Sequence, residues 1–358
     1  MKAIILKCRP GSRFHLGEYT DNQNTVSYNT AEYIHSDVLF GAFISAMSKI
    51  YPGKLNNFRQ LFGDGKIRFS SAFYCIKQKD TNRYIYLLPK PFSLNLADLN
   101  EQIDHKAVKK VKFISKSIYE KGITFEKWFT DECIMPNDTC VFLREEFDKN
   151  DSVSKKEFEE LSFKLYEKVD LQKVKIHTDE INNEEEEKGE GEGKLHAQTD
   201  IMILGSEEMA VNWYFLLDLN DQLSKDDANI FYQTLDLMIS NGIGGDRSSG
   251  CGKIEGMEIE DFNINVTNPS NQQLLLSLVF PKEAEKDKYL YYKTKIRGGM
   301  WYGSGENERF KKIMALEEGS ILEGNISPQI IDLTKNNKPL WKYSGNLVFP
   351  LPVEYVNI

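Results

Sequence analysis

Between Asn241 and Lys253 the chain reads NGIGGDRSSGCGK, with Gly242, Gly244, Gly245, Gly250 and Gly252 interleaved with Arg247, Ser248, Ser249 and Lys253. Glycine takes positive φ without steric cost and lets another group approach the backbone. Exposed N–H groups flanked by guanidinium, hydroxyl and ammonium donors suit a phosphate. The flanking elements decide which kind of phosphate loop this can be. Upstream, Asp226–Ser240 places Ile230, Phe231, Leu235, Leu237, Met238 and Ile239 at roughly helical spacing, with Asp226 or Asp227 to cap it; downstream, Cys251–Glu260 reads as a strand. Dinucleotide and Walker loops open a helix, whereas this one closes a helix and has no Gly-Lys-Ser/Thr, which points away from an ATPase. A glycine-rich turn with no ligand is the plainer alternative.

Other residues join the candidate RNA-binding set. Arg13 and His15 follow the first strand and could bond or stack on a base. Ser36 would cap a helix whose N-terminus attracts anions, although Asp37 partly cancels that field. Lys90 sits between Pro89 and Pro91, a stiff turn that presents its ammonium, and Arg297 with Gly298 and Gly299 repeats the glycine-plus-arginine theme. A catalytic set is not found. His35 and His15 are candidate acids or bases for a metal-independent ribonuclease, yet no Lys or Tyr obviously completes a dyad with either. In Gly244-Gly245-Asp246, Arg247 stands where a two-metal site needs a second carboxylate.

Around these residues, 358 amino acids with 41% hydrophobic content can bury a full core and divide into two units. The net charge of −9 argues against nucleic acid until it is located. Asp179–Gly193 holds eight acids and one Lys, so −7 of the −9 lies in one Glu/Gly tract, expected to be a mobile solvated loop. Basic clusters then stand out at Met1–Arg13 and at His105–Trp128. In the second, lysines alternate with Phe113, Tyr119, Phe125 and Trp128, a composition that suits single-stranded RNA and equally a solvated helix. Cys8, Cys75, Cys133, Cys140 and Cys251 form no Cys-x-x-Cys and read as reduced core residues; no metal or other cofactor is expected. No signal peptide or membrane span is apparent, so a cytoplasmic protein is expected.

The strongest elements are a strand at Lys2–Cys8, a helix at Ser36–Tyr51 ended by Pro52, strands at Ile67–Ile76, Tyr84–Leu88 and Val211–Leu219, then the helix and strand that bracket the glycine loop. Leaving out the irregular middle gives strand, helix, strand, strand, helix, strand, the order of a ferredoxin-like (RRM-like) α+β domain.

With the best ligand chemistry between the last helix and last strand, this arrangement resembles the RAMP superfamily of CRISPR proteins. The resemblance extends to subunit 4 of the type III-A Csm complex. It is carried by Phe14-His15-Leu16-Gly17-Glu18, Ser36-Asp37-Val38-Leu39-Phe40-Gly41-Ala42, Tyr86-Leu87-Leu88-Pro89-Lys90-Pro91, the loop 242–252, Lys295-Ile296-Arg297-Gly298-Gly299, Glu318-Gly319-Ser320-Ile321-Leu322 and Ser344–Pro352. It implies two tandem RRM-like domains, 1–265 and 266–358, with a long insertion at about 90–205. It further implies a non-catalytic subunit that grips the repeat-derived 5′ tag of the crRNA and joins the adjacent backbone RAMP subunit to the large polymerase-like subunit. A RAMP repeat endoribonuclease is the alternative. Two positions depart from the family: Asp246 replaces a residue that is often basic, and Ile201 follows Asp200 where Arg is common.

The acidic tract gives a direct test. Deleting Asn182–Gly193 removes a net −5; the chain should still fold and RNA binding should not weaken, because exposed charges beyond about 8 Å are largely screened at physiological salt. Loss of affinity in a filter-binding titration would make the tract functional.

Overall fold

A computed structural model of the chain describes residues 1–18, 29–79, 83–95, 105–136, 139–147, 163–175, 194–206, 208–298, 300–301, 308–309, 311–334 and 339–356. The acidic tract 179–193 lies outside the described residues.

The chain opens with strand β1 (Lys2–Lys7), whose four central residues are all buried, as expected of a strand covered on both faces. Helix α1 (Ser36–Ile50) buries Leu39, Phe40, Phe43, Ala46 and Met47 on one stripe and stops before Pro52. A shorter helix, α2 (Leu55–Gly63), follows. The expected strand Ile67–Ile76 is broken: Ile67–Phe69 and β2 (Phe73–Gln78) are separated at Ser70 and Ser71, whose hydroxyls bond within the core. After β3 (Tyr84–Pro89), the insertion adds short strands at Phe113–Ser115 and Cys140–Leu143 to the same sheet. It ends in a long hairpin, β4 (Tyr166–Lys175) and β5 (Lys194–Ile203). Then come β6 (Met209–Leu219), helix α3 (Lys225–Asn241) and β7 (Gly256–Asp261). Helix α3 is capped by Ser224 rather than Asp226 or Asp227, and β7 starts five residues later than the sequence suggests because the glycine turn runs on to Gly252.

The main sheet runs β7-β1-β6-β2-β3, with antiparallel neighbours. Taken as β1-α1-β2-β6-α3-β7, this is the split βαβ arrangement of a ferredoxin-like fold. Helices α1 and α3 lie together, with Phe43 and Phe231 ring centroids 5.0 Å apart.

The described residues of 266–358 are rich in strands, and their helices are two 3-10 turns, Glu283–Lys288 and Val353–Tyr355. Here β8 (Pro269–Leu275), β9 (Thr294–Arg297), β10 (Ile313–Leu316), β11 (Gln329–Asp332), β12 (Trp341–Ser344) and β13 (Val348–Pro352) wrap the N-terminal unit. Tyr343 stacks on Phe40 of α1 at 5.6 Å, and Arg59 of α2 pairs with Asp332 and lies over Trp341. On the other face of the sheet, Phe349 stacks on Phe262, which covers Tyr214 and Tyr86. One hydrophobic core therefore runs from β1 to Tyr355.

The two halves are also joined by charge. The fully sealed Asp37 carboxylate accepts from Arg297 Nε at 3.1 Å and Nη2 at 2.9 Å, and from Lys342 Nζ at 2.8 Å. Burial alone would raise its pKa; Arg297 and Lys342 outweigh that and hold it far below the usual carboxylate range. Beside it, His35 Nδ1 lies 3.0 Å from Glu318, which also accepts from Tyr33 and Ser71, while Lys295 donates to His35 Nε2 at 3.2 Å. Removing one partner of a buried pair strands the other charge, at a cost of about 3–5 kcal/mol. Arg297→Ala should lower the urea unfolding free energy by that order, and a loss below about 1 kcal/mol, the scale of a surface pair, would count against this anchor.

Candidate nucleic-acid interface

The glycine loop follows α3 directly. Gly242, Gly244, Gly250 and Gly252 all have positive φ, and Asp246 is the one described non-glycine residue that does. The need for glycine is steric at two points: a Cβ at Gly252 would lie 2.2 Å from the Ile243 carbonyl oxygen, and one at Gly244 would lie 2.7 Å from that of His15.

Several of the loop N–H groups are engaged within the protein. Gly245 N donates to His15 O at 2.8 Å, Gly252 N to Arg13 O at 2.7 Å, and Ile243 N to Gly252 O at 3.0 Å. Ser249, Gly250 and Cys251 donate to carbonyls within the turn. The glycines thus bring the loop backbone against the segment Arg13–His15. What remains outward is a ridge of side chains: Arg247, Ser248, Ser249 and Lys253 are exposed. Lys253 keeps its ammonium in solvent and pairs only loosely with Glu255 at 3.3 Å.

The segment beneath is fixed in turn. Arg13 and Phe14 pair with Met202 and Ile201 of β5. Alternation along that strand places Gln198 and Asp200 on one face, where they meet the loop. Asp200 is fully buried and collects His15 Nδ1 at 3.3 Å, Gln198 Nε2 at 2.8 Å, Cys251 Sγ at 3.4 Å and, at longer range, Arg13 Nη1 at 3.8 Å. Burial pushes its pKa up, but the hydrogen bonds from His15, Gln198 and Cys251 prevail and hold it at about 2. Asp246 accepts from Gln198 at 3.0 Å and forms an ion pair with Lys173 of β4. Asp246 therefore docks the loop onto the β4–β5 hairpin.

The sequence pattern of the RAMP superfamily matches residues 12–255, well over half of the chain. The chain belongs to the RAMP superfamily. Residues 268–351 match the CRISPR Csm4 C-terminal domain. A Methanocaldococcus jannaschii protein named "CRISPR system Cms protein Csm4" is 28% identical, over 94% of this chain and 90% of its own length. The architecture is similar to a chain of a Csm3-Csm4 subcomplex of the type III-A CRISPR-Cas interference complex, with TM-score 0.63, 20% identity and coverage of 98% of this chain and 99% of that one. A chain of a Csm1-Csm4 cassette crystallised with AMPPNP gives TM-score 0.52 at 18% identity, over 99% and 98% of the two chains. At these identities the likeness concerns the fold.

In this RAMP protein the site residues expected from sequence separate. Arg13, His15, Gly242, Gly244, Gly245, Arg247, Ser248, Ser249, Gly250, Gly252 and Lys253 gather in one region. Four others do not join them. Ser36 is not the helix cap but the first helical residue, sealed in the core, where its Oγ accepts from Leu278 N at 3.0 Å. Arg297 is buried on Asp37, and its neighbour Gly298 is half-buried. Lys90 is 4% exposed and donates to the Val108 carbonyl instead of reaching solvent.

The basic clusters also change character. Lys2, Lys7 and Arg9 pair with Asp261, Glu258 and Glu255 at the adjacent edge of the sheet. Phe113, Tyr119, Phe125 and Trp128 are core residues, so none is a stacking platform. Asp200, Gln198 and Lys173 have no sequence signal, because nothing in their neighbours along the chain shows that they lie beside the loop.

Asp200 carries a pH signature. Its folded pKa of about 2 lies below the unfolded value of about 3.9, so its stabilisation is present above about pH 4 and is lost as pH falls toward 2. The unfolding midpoint of Asp200→Asn should decline less steeply than wild type across that window. Parallel curves would show that the carboxylate does not hold the loop.

Proposed function

We propose that this chain is the crRNA-binding subunit of a type III-A (Csm) CRISPR interference complex in antiviral defence. It holds the repeat-derived 5′ tag and joins a backbone RAMP subunit of the Csm3 kind to a large, polymerase-like subunit of the Csm1 kind. The observation that carries the reading is the outward ridge of Arg247, Ser248, Ser249 and Lys253, pinned by main-chain hydrogen bonds to Arg13 and His15. Cationic and hydroxyl groups on a rigid turn recognise a sugar-phosphate backbone without needing a cofactor. The names of the relatives support the assembly: solved neighbours pair Csm4 with Csm3 and with Csm1.

The role proposed is a grip, without catalysis. His35, one of two candidate proton carriers, is 1% exposed and held by Glu318 and Lys295, out of reach of a substrate. The other, His15, has its Nδ1 facing Asp200 and the Thr199 carbonyl, a setting that orients a ring for contact. Among the described residues, no helix is long and apolar enough to cross a membrane.

If Arg247 and Lys253 each neutralise one phosphate, replacing both by Ala should reduce the slope of log affinity against log salt for single-stranded RNA by roughly 1.4, at about 0.7 per contact. An unchanged slope removes the ridge from the interface. Reconstitution of the complex without this chain should leave the large subunit unattached and the guide's 5′ tag unprotected. Attachment and protection in its absence would refute the linking role, and cleavage of repeat RNA by the isolated chain, abolished in His15→Ala, would refute the non-catalytic one.

A further inference from the structure

A cleft of about 280 Å³ lies where the end of β3 faces β9 and the residues just after β10. Its walls carry both signs of charge, and the pairing is uneven. Lys295 holds Glu18 at 2.5 Å and Glu317 at 3.2 Å; Lys112 and Lys168 hold Glu32; His35, Tyr33 and Ser71 hold Glu318. Every carboxylate of the cleft thus already has its donors. Three ammonium groups, those of Lys90, Lys293 and Lys109, have no carboxylate partner among the described residues.

Two of these cations, Lys90 and Lys293, line the same cleft. Lys90 is buried, with the Val108 carbonyl its one described acceptor, and Lys293 lies 4.5 Å above the centroid of the Phe92 ring, a second wall of the cleft. Burial and the neighbouring Lys293 hold the Lys90 ammonium down to about 7, and an anion between the two would reverse both effects. A like-charged pair lining a cleft favours a ligand with at least two negative oxygens. An aromatic wall next to the pair suits a group that is partly flat.

We propose that this cleft is a second binding site, for a phosphate-bearing group of nucleotide size held by Lys90 and Lys293 beside Phe92. It shares no residue with the glycine-loop ridge, so it stands or falls separately from the RNA grip there. The phosphate has two possible sources, the 5′ end of a bound RNA or a free nucleotide, and the chemistry is common to both.

The test is thermal shift and calorimetry on the purified full chain with inorganic phosphate, AMP, adenosine, and a short single-stranded RNA carrying either a 5′-phosphate or a 5′-hydroxyl. AMP should raise the melting temperature and adenosine should not. The shift should vanish in Lys90→Met and Lys293→Ala; Lys293 is exposed, so Lys293→Ala should melt like wild type, and because Lys90→Met also loses the bond to the Val108 carbonyl, the shift of each variant is read from its own ligand-free melting temperature. If the 5′-phosphate RNA binds at least tenfold tighter than the 5′-hydroxyl form in wild type and equally in the variants, the source is an RNA end. If AMP binds and the two RNAs are equivalent, it is a free nucleotide. The proposal is overturned if phosphate, AMP and 5′-phosphate RNA all leave wild type unshifted, or if the shift persists in both variants.

Discussion

The structure depends on a set of charges sealed at the start of α1. Asp37 and Glu318 are fully buried carboxylates, and each stays ionised through partners supplied by the other half of the chain: Arg297 and Lys342 for Asp37, His35 and Ser71 for Glu318. A buried charge without a partner costs several kcal/mol, so the helix start and the C-terminal strands are obligatory for each other. The same corner is bound by neutral groups too, since Ser36 Oγ accepts from Leu278 N and Ser71 N donates to Leu276 O. Residues 266–358 accordingly share a core with the ferredoxin-like unit and cover helices α1 and α2 and the opposite face of its sheet.

This pairing decides which cations remain for function. Most basic residues near the N-terminus are matched by acids on β7, and Arg297 is matched by Asp37. Two groups of cations among the described residues stand apart from it. One is the ridge after α3, where Arg247 lies near the carbonyls of Asn241 and Gly242 at the helix C-terminus, a favourable position for a cation that still leaves it exposed. The other is the Lys90–Lys293 cleft. The ridge is held in place by Asp200 and Asp246, so these two carboxylates act on its protein side, by fixing the basic residues.

Much of this was legible in the sequence. The β1, α1 and α3 segments have unbroken apolar runs or helical periodicity, a local property that neighbouring residues carry by themselves, and the glycine cluster required a turn after α3 wherever that turn lay. The order of those elements was enough for the ferredoxin-like fold. The β4–β5 hairpin was less legible, because the buried positions of β5 include the polar Gln198 and Asp200 and the described side chains of β4 are at most half-buried.

What only the tertiary structure decided is the partner of each polar group. Ser36, Lys90 and Arg297 have the composition of binding residues, and their neighbours in sequence give no hint that Leu278, Val108 and Asp37 lie beside them. The same holds for the glycine loop, where the N–H groups of Gly245 and Gly252 could have faced a phosphate and instead meet the carbonyls of His15 and Arg13. Residue type and spacing fix what a group can bond; burial and contacts between residues far apart in the chain fix what it does bond, because a polar group in the core must take whichever partner the fold brings to it.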